Sequence, residues 1–350
     1  MLLQHLLSNK KNIYALLLLL FYVPLSALQL GDGSDTCLST PMKVFSNVKS
    51  VFPSEYSTYV ITKDNSLWVS GSKIDIPNGS NFDSYGNYFQ QIDENVIECK
   101  KYYGGEYIVK VTGELVLSNK TGQKILDTEV LHVSVGDSGD VLYIKKDKTL
   151  WGYGINQNGQ LCLGHTNRVE TPVLIMKDIF DVYTGFSTTK ILTLDGKLWV
   201  STEEGSVTKI ADDVISITED MFVTKDNKLF CFGREFFGRG GLGSYSDLNF
   251  PITMVMENVK EVSSSVYHTL ILTLDGKVYS CGGDGGSSFE NYSSFGFIGN
   301  GSFEPQNRPV FIMDNITNVA VSDFTSFAID KQGNLWSWGL NNDNELLLFY

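Results

Sequence analysis

The sequence predicts an all-β fold built from seven stacked sheet units that close into a ring. Two repeated patterns carry this expectation, together with the lack of any helical pattern. A polar turn followed by an apolar–aromatic pair recurs seven times along 350 residues. Each copy follows a segment with apolar residues at Val-x-x-Val spacing. Within 41–350, no stretch of ten or more residues shows the 3.6-residue apolar period of an amphipathic helix.

The turn cores are, in order, KDNSLWVSG (63–71), VTGELVLSN (111–119), KDKTLWGYG (146–154), LDGKLWVST (194–202), KDNKLFCFG (225–233), LDGKVYSCG (274–282) and KQGNLWSWG (331–339). Aligned on the apolar residue of the pair, they fall at 67, 115, 150, 198, 229, 278 and 335, so the spacings run 48, 35, 48, 31, 49 and 57. The preceding segments are clearest at 41–51, 172–182, 251–262 and 309–320, with weaker copies at 91–98, 123–133 and 207–217.

Each unit reads as a small antiparallel sheet. Asp-Gly at 195–196 and 275–276 and Gln-Gly at 332–333 supply the positive φ that a tight hairpin turn requires. Flanks such as 191–194 and 270–274 have strand composition. The aromatic residue after the turn is large enough to cover area between neighbouring sheets. One unit cannot bury its own faces, so the units must stack, and a ring removes exposed sheet edges.

Ahead of the repeats, Lys10 and Lys11 precede an apolar run from Ile13 to Val23, closed by Pro24 and the small residues Ser26 and Ala27. That pattern reads as a secretory leader over 1–27, cleaved after Ala27. The run is shorter than the ~20 residues of a membrane span, so a signal-anchor is the second reading. Either places the remainder, a short linker at 28–40 and the repeats at 41–350, on the non-cytoplasmic side. The expected location is therefore secreted or the secretory lumen, with a type II membrane anchor as alternative. Sequons at Asn78, Asn119, Asn291, Asn300 and Asn315 would then be candidate N-glycosylation sites.

Composition narrows the partner class. With 27 basic residues against 40 acidic, the net charge is −13, a field that repels nucleic-acid backbones. The five cysteines contain no C-x-x-C pair. Cys231 and Cys281 occupy similar places in successive repeats, which leaves open a disulfide or two free buried thiols.

The segment LWGYGINQNGQLCLG (150–164) with Thr171-Pro172-Val173, and LWSWGLNNDNELL (335–347), resemble the repeat of the regulator of chromosome condensation family. The resemblance covers roughly 41–350. It implies a seven-bladed β-propeller whose N- and C-terminal strands meet in one blade. The second and fourth units depart from the family by lacking the glycine loop, and the first, fifth and sixth carry altered loops. The family's mid-strand histidine is matched only by His268, expected to be structural because no acid–base partner lies at recognisable spacing.

No motif points to an enzyme. GRGGLG (238–243) has the glycine spacing of a dinucleotide loop but no helix signal after it. GDSGD (136–140) resembles a serine-protease nucleophile loop, departs from it at Asp140, and has no upstream histidine segment. Calcium-loop and histidine metal spacings are absent, so no cofactor or metal is expected.

Function therefore falls to the long connections at about 71–90, 155–171, 233–250 and 282–308, expected on one face of the ring. Their aromatics among small polar residues suit a protein-binding surface. The candidate contact residues are Tyr85, Tyr88, Phe236, Phe237, Arg239, Tyr245, Phe289, Tyr292, Phe295 and Phe297. The expected protein is a monomeric, non-enzymatic propeller that binds another protein. It would contact no nucleic acid, and a membrane only through an uncleaved N-terminus. The resemblance also implies guanine-nucleotide exchange or regulation of a small GTPase, if the chain is cytosolic. A carbohydrate-binding propeller is the third reading.

Overall fold

The computed structural model describes residues 30–34, 36–54, 57–72, 84–102, 105–136, 138–185, 187–235, 237–245, 248–283 and 295–341. Among these residues there are seven four-stranded antiparallel sheets and no helix. Blade one is β2 (Val48–Pro53), β3 (Ser57–Thr62), β4 (Leu67–Ser72) and β5 (Ser84–Asp93). Blade two is β6 (Val96–Tyr102), β7 (Gly105–Lys110), β8 (Leu115–Asn119) and β9 (Gly122–Asp127). Blade three is β10 (Val130–Val135), β11 (Val141–Lys145), β12 (Leu150–Gly154) and β13 (Val169–Met176). Blade four is β14 (Ile179–Thr184), β15 (Thr189–Thr193), β16 (Leu198–Ser201) and β17 (Val207–Ala211). Blade five is β18 (Val214–Ile217), β19 (Met221–Thr224), β20 (Leu229–Glu235) and β21 (Leu248–Met256). Blade six is β22 (Val259–Ser264), β23 (His268–Thr273), β24 (Val278–Gly282) and β25 (Gln306–Met313).

Blade seven is β26 (Ile316–Val321), β27 (Thr325–Asp330) and β28 (Leu335–Gly339), completed by β1 (Leu38–Phe45) from the other end of the chain. The expected closure is thus observed, with Met42 opposite Ser337 and Lys43 opposite Trp336. The two short units, lacking the glycine loop, still form complete four-stranded blades.

The first strands of the blades touch one another in cyclic order, so they form the inner wall of the ring. Their Val-x-x-Val spacing does not fit a strand's period of two. A bulge reconciles it. The ladder register shifts once in every first strand, between Val48 and Ser50, Val96 and Glu98, Val130 and His132, and at the four equivalent places. The extra residue lets both valines return to the buried face.

The core lies between blades. Tyr59, Ile61, Leu67 and Val69 of blade one pack on Val96, Cys99, Ile108 and Val116 of blade two. The closing seam has the same composition, with Val48, Val51 and Val60 against Phe327, Ile329 and Leu335. The Leu-Trp pair follows from this. Leu150 packs on blade four while its neighbour Trp151 packs back on blade two. Leu67 and Trp68 divide likewise between blades two and seven. Successive residues of a strand face opposite ways, so one dipeptide joins a blade to both neighbours. Burying a leucine of this kind stabilises the fold by roughly 1.5–3 kcal/mol.

The hairpin turns behave as their sequences require: Gly196, Gly276 and Gly333 have φ of 82°, 85° and 85°. Gly113 does the same in blade two at 95°, and in the other three turns Asn65, Lys148 and Asn227 accept the left-handed conformation. Cys231 and Cys281 are buried thiols not joined to each other, the second of the two readings left open, and Cys281 Sγ donates to the Arg239 carbonyl at 3.2 Å.

Candidate interaction surface

Strand direction alternates within each blade, so the first-to-second and third-to-fourth connections emerge on one side. The long connections 73–83, 155–168, 236–247 and 283–305 all join a third strand to a fourth. The strand ends that they join lie on one face, as expected, together with those of the shorter first-to-second connections. The opposite face carries the hairpin turns and the links between blades.

The loop motif Gly-Gln-Leu-x-x-Gly of blade three recurs in altered form. Gly159, Gly238 and Gly296 open it at φ of 73°, 75° and 82°. The residue after each is buried: Gln160 in blade three, Arg239 in blade five, Phe297 in blade six. This corrects the expectation for two candidate contact residues. Arg239 is 5% exposed and Phe297 is 2% exposed, because both occupy the inward slot of the motif.

Arg239 is held by acids of the next connection inward. Its guanidinium pairs with Asp220, lies 3.3 Å from Glu219, and donates at 2.8 Å to the Ser265 carbonyl. Lys190 sits nearby, 3% exposed, and donates to Thr188 at 2.8 Å. Burial lowers the Lys190 ammonium's pKa, and Asp220 and Glu219 oppose that shift. Burial likewise raises the Asp220 carboxyl, against the pull of Arg239. The cluster fastens the Phe237 loop to the Tyr267 loop.

Phe297 anchors blade six to blade seven. Its ring stacks on His268 at 4.6 Å, and its carbonyl accepts from Ser326 at 2.8 Å and Trp338 at 2.9 Å. His268 Nε2 lies 2.7 Å from Ser326 Oγ, and Ser265 Oγ lies 3.3 Å from Nδ1. Burial drives the imidazole's pKa down to about 3. It is a neutral, fully buried structural residue, as expected.

On the outer side of these anchors lies an aromatic ladder. Phe237 stacks on Tyr267 with centroids 5.2 Å apart, Tyr267 on Phe324 at 4.6 Å, and Phe295 meets Phe324 edge-on at 6.0 Å. All four rings are half-buried. They come from three blades and four separate connections. Two of them, Tyr267 and Phe324, lie in first-to-second connections, which attention to the long insertions alone passes over. The alternation of strand direction is the signal that places them on the same face.

The remaining candidates disperse. Tyr245 is half-buried and donates to the Pro305 carbonyl at 2.9 Å, locking two long connections together. Tyr88, 64% exposed, lies on outer strand β5 and pairs with Asp32. Phe236, Phe289 and Tyr292 lie outside the described residues, as does the side chain of Tyr85. Asn119, Asn300 and Asn315 are exposed, whereas Asn78 and Asn291 lie outside the described residues.

The two motifs tested for chemistry are loops. Gly238–Gly243 leads into no helix. Ser138 Oγ donates to Asp140 at 2.6 Å and accepts from Gln160, with no histidine contact among the described residues. Among those residues no group of three metal-ligating side chains is assembled, and no helix is long and apolar enough to cross a membrane.

The N-terminal segment read as a linker is built into the ring. Asn341 Nδ2 donates to Asp32 and to the Ser34 carbonyl, both at 2.9 Å, and its Oδ1 accepts from Leu30 N at 3.3 Å. Asn156 does the same inside blade three, donating to the His165 and Asn167 carbonyls and accepting from Leu161 N. Leu30 and Leu161 are both fully buried. The glycine loop of blade seven is therefore assembled from the two ends of the chain.

Comparison with known proteins agrees with this architecture. The regulator of chromosome condensation (RCC1) repeat matches residues 259–286 and 316–345. The X-linked retinitis pigmentosa GTPase regulator of Canis lupus familiaris is 28% identical over 183 residues, which is 50% of this chain and 17% of that protein. The ultraviolet-B receptor UVR8 of Arabidopsis thaliana is 24% identical over 249 residues, covering 62% of this chain and 54% of the receptor. The chain thus spans only a small part of the retinal regulator and about half of the receptor. Among solved structures, yeast RCC1 (Prp20), crystallised with Kap60, superposes with a TM-score of 0.68 at 13% identity, covering 90% of this chain and 87% of that one. Human WBSCR16 gives 0.66 at 14%, covering 86% and 88%. With the repeat matched in sequence and the ring matched in structure, the chain is an RCC1-like seven-bladed β-propeller.

Proposed function

We propose that this propeller is a non-enzymatic binding module that engages another protein through its loop-bearing face. The observation that carries this reading is the ladder of Phe237, Tyr267, Phe324 and Phe295, rings from three blades brought together on one side. Aromatic residues held in place before a partner arrives lose little entropy on binding and commonly dominate interface energetics. The relatives support the same class. One is named a GTPase regulator, and yeast RCC1 is crystallised with Kap60.

The leader-like segment at 1–27 favours a secreted or membrane-tethered setting over a cytosolic one, with the exposed Asn119, Asn300 and Asn315 as glycosylation acceptors. Regulation of a small GTPase is the second reading, favoured by the named relatives and requiring a cytosolic chain. N-terminal sequencing of the protein from its host, with a glycosidase digest, separates the two. A start at Leu28 with a mobility shift supports secretion, and an intact Met1 without a shift overturns it. For the face itself, partner capture is compared between the native chain and Phe237→Ser/Phe295→Ser. Undiminished capture by a folded double variant removes the ladder from the site.

A further inference from the structure

Resting on the reading of 1–27 as a leader, we propose that this segment, while uncleaved, holds the propeller with its loop-bearing face against the bilayer, and that cleavage after Ala27 opens the face to soluble partners. The chain enters the ring from that face. Leu38, where β1 starts, lies opposite Gly339, where the third strand β28 ends. Third strands end on the loop-bearing side, so β1 begins there. The segment ahead of β1 is tied at the same end by Asn341, which follows β28. Leu30 N donates to Asn341 Oδ1 at 3.3 Å, and the Leu30 carbonyl accepts from Ser337 Oγ at 3.0 Å. Asp32 pairs with Tyr88 on β5 of blade one. With Leu30 fully buried, the segment is thus fixed to both sides of the closing seam.

Chain length sets the distance. The apolar run of the leader ends at Val23. Residues 24–29 join it to Leu30, and six residues span at most about 20 Å however they are arranged. A globular domain of about 100 residues is roughly 34 Å across. No such partner fits between the bilayer and the part of the ring where Leu30 is held. One end of the aromatic ladder stands there too, since Leu340, the residue before Asn341, donates from its N to the Phe324 carbonyl at 2.9 Å. With Lys10 and Lys11 kept in the cytoplasm, the propeller lies across the membrane from them, its blade-seven loops nearest the lipid.

The test uses the full chain with Ala27→Phe, which removes the small residue that cleavage needs, in phosphatidylcholine vesicles carrying an acceptor dye on the headgroups. A donor dye is attached through an azide-bearing residue at Phe303, 44% exposed in a loop-face connection of blade six, or at Gln332, exposed in the hairpin turn of blade seven. Energy transfer is expected to be stronger from position 303 than from 332, and to vanish from both in the native chain after cleavage. A Fab raised against 300–304 should bind the cleaved chain and lose its binding to the anchored one. Transfer that is equal from the two positions, or stronger from 332, overturns the proposal. So does transfer from the cleaved chain, or Fab binding that ignores the anchor. An Ala27→Phe chain that alkaline carbonate washes off the vesicles overturns the leader reading and the proposal with it, while leaving the ladder as a binding surface untouched.

Discussion

His132 Nδ1 lies 3.0 Å from Glu98 Oε1, across the seam between the inner strands of blades two and three. The other ring nitrogen faces blade four, 3.5 Å from Asp181 Oδ1 and 3.2 Å from the Val182 carbonyl. Glu98 Oε2 in turn accepts from Val133 N at 3.0 Å. One imidazolium thus joins three blades. Burial alone would lower its pKa, but the Glu98 carboxylate overcomes that and, with Asp181, raises it to about 9.

The raised value predicts a basic limit to stability. An imidazole whose folded pKa exceeds its unfolded one stabilises fully below the unfolded value of 6.5 and loses that contribution as pH rises through about 9. Urea denaturation from pH 7 to 10 should show stability falling in the native chain. In His132→Gln the slope should be shallower, most clearly between pH 7 and 8, because above that buried Cys99, Cys162 and Tyr143, whose folded pKa values burial raises, also lose stability with pH. Equal slopes in both would remove His132 as the cause.

His268 predicts a loss at the opposite end. Its folded pKa of about 3 lies far below the usual 6.5, because burial strips water from the charged ring more strongly than the Asp323 backbone contact favours it. Between those values the unfolded chain binds the extra proton, so stability falls as pH drops from about 6.5 towards 3. The acid slope should be reduced in His268→Asn. In the native chain, the His268 imidazole NMR signals should remain those of a neutral ring at pH 5. An imidazolium spectrum at that pH would contradict the assignment.

Arg239 is predicted to be among the costliest single side chains to remove. Arg239→Ala leaves Glu219 and Asp220 without their buried cation and the Ser265 carbonyl with only the long 3.5 Å bond from Ser264 Oγ, a loss of roughly 3–5 kcal/mol by analogy with other broken buried pairs. Arg239→Gln, the residue that blade three carries at this slot, should recover part of it. Chemical denaturation of the two variants gives the comparison. An alanine variant as stable as the native chain would show that the cluster does not fasten the loop.

The ring was legible in the sequence because its signals are local and repeated. A turn glycine, a Leu-Trp pair and a Val-x-x-Val segment each specify geometry within about ten residues, and seven copies fix the count. The surface was less legible because burial there depends on neighbouring blades. Phe297 and Arg239 look like exposed loop residues until the glycine loops are superposed and their slot is found facing inward. Tyr267 and Phe324 sit in short connections with no repeat signal of their own, and only packing reveals that they stack at 4.6 Å. Glu98 and His132 are separated by a whole hairpin pair, so their contact has no local trace.

The split glycine loop gives the last prediction. Asn341 makes four bonds to residues 30–34, and Leu30 fills the slot that Leu161 fills within blade three. Asn341→Ala should therefore loosen a loop whose two halves are joined by no peptide bond. Leu30 N would be left buried without its acceptor, and Ser337 Oγ would lose the geometry of its 3.0 Å bond to the Leu30 carbonyl. A cost of about 1–3 kcal/mol follows for the unsatisfied donor. Asn156→Ala should cost a similar amount, but its segment is tethered at both ends. Residues 161–167 are held between β12 and β13, whereas the described contacts of 30–34 run to Asn341 and its neighbours and to β5, so amide exchange at 30–34 should rise more than exchange at 161–167 does in Asn156→Ala. Unchanged protection at Leu30 in Asn341→Ala would show that β1 alone closes the ring.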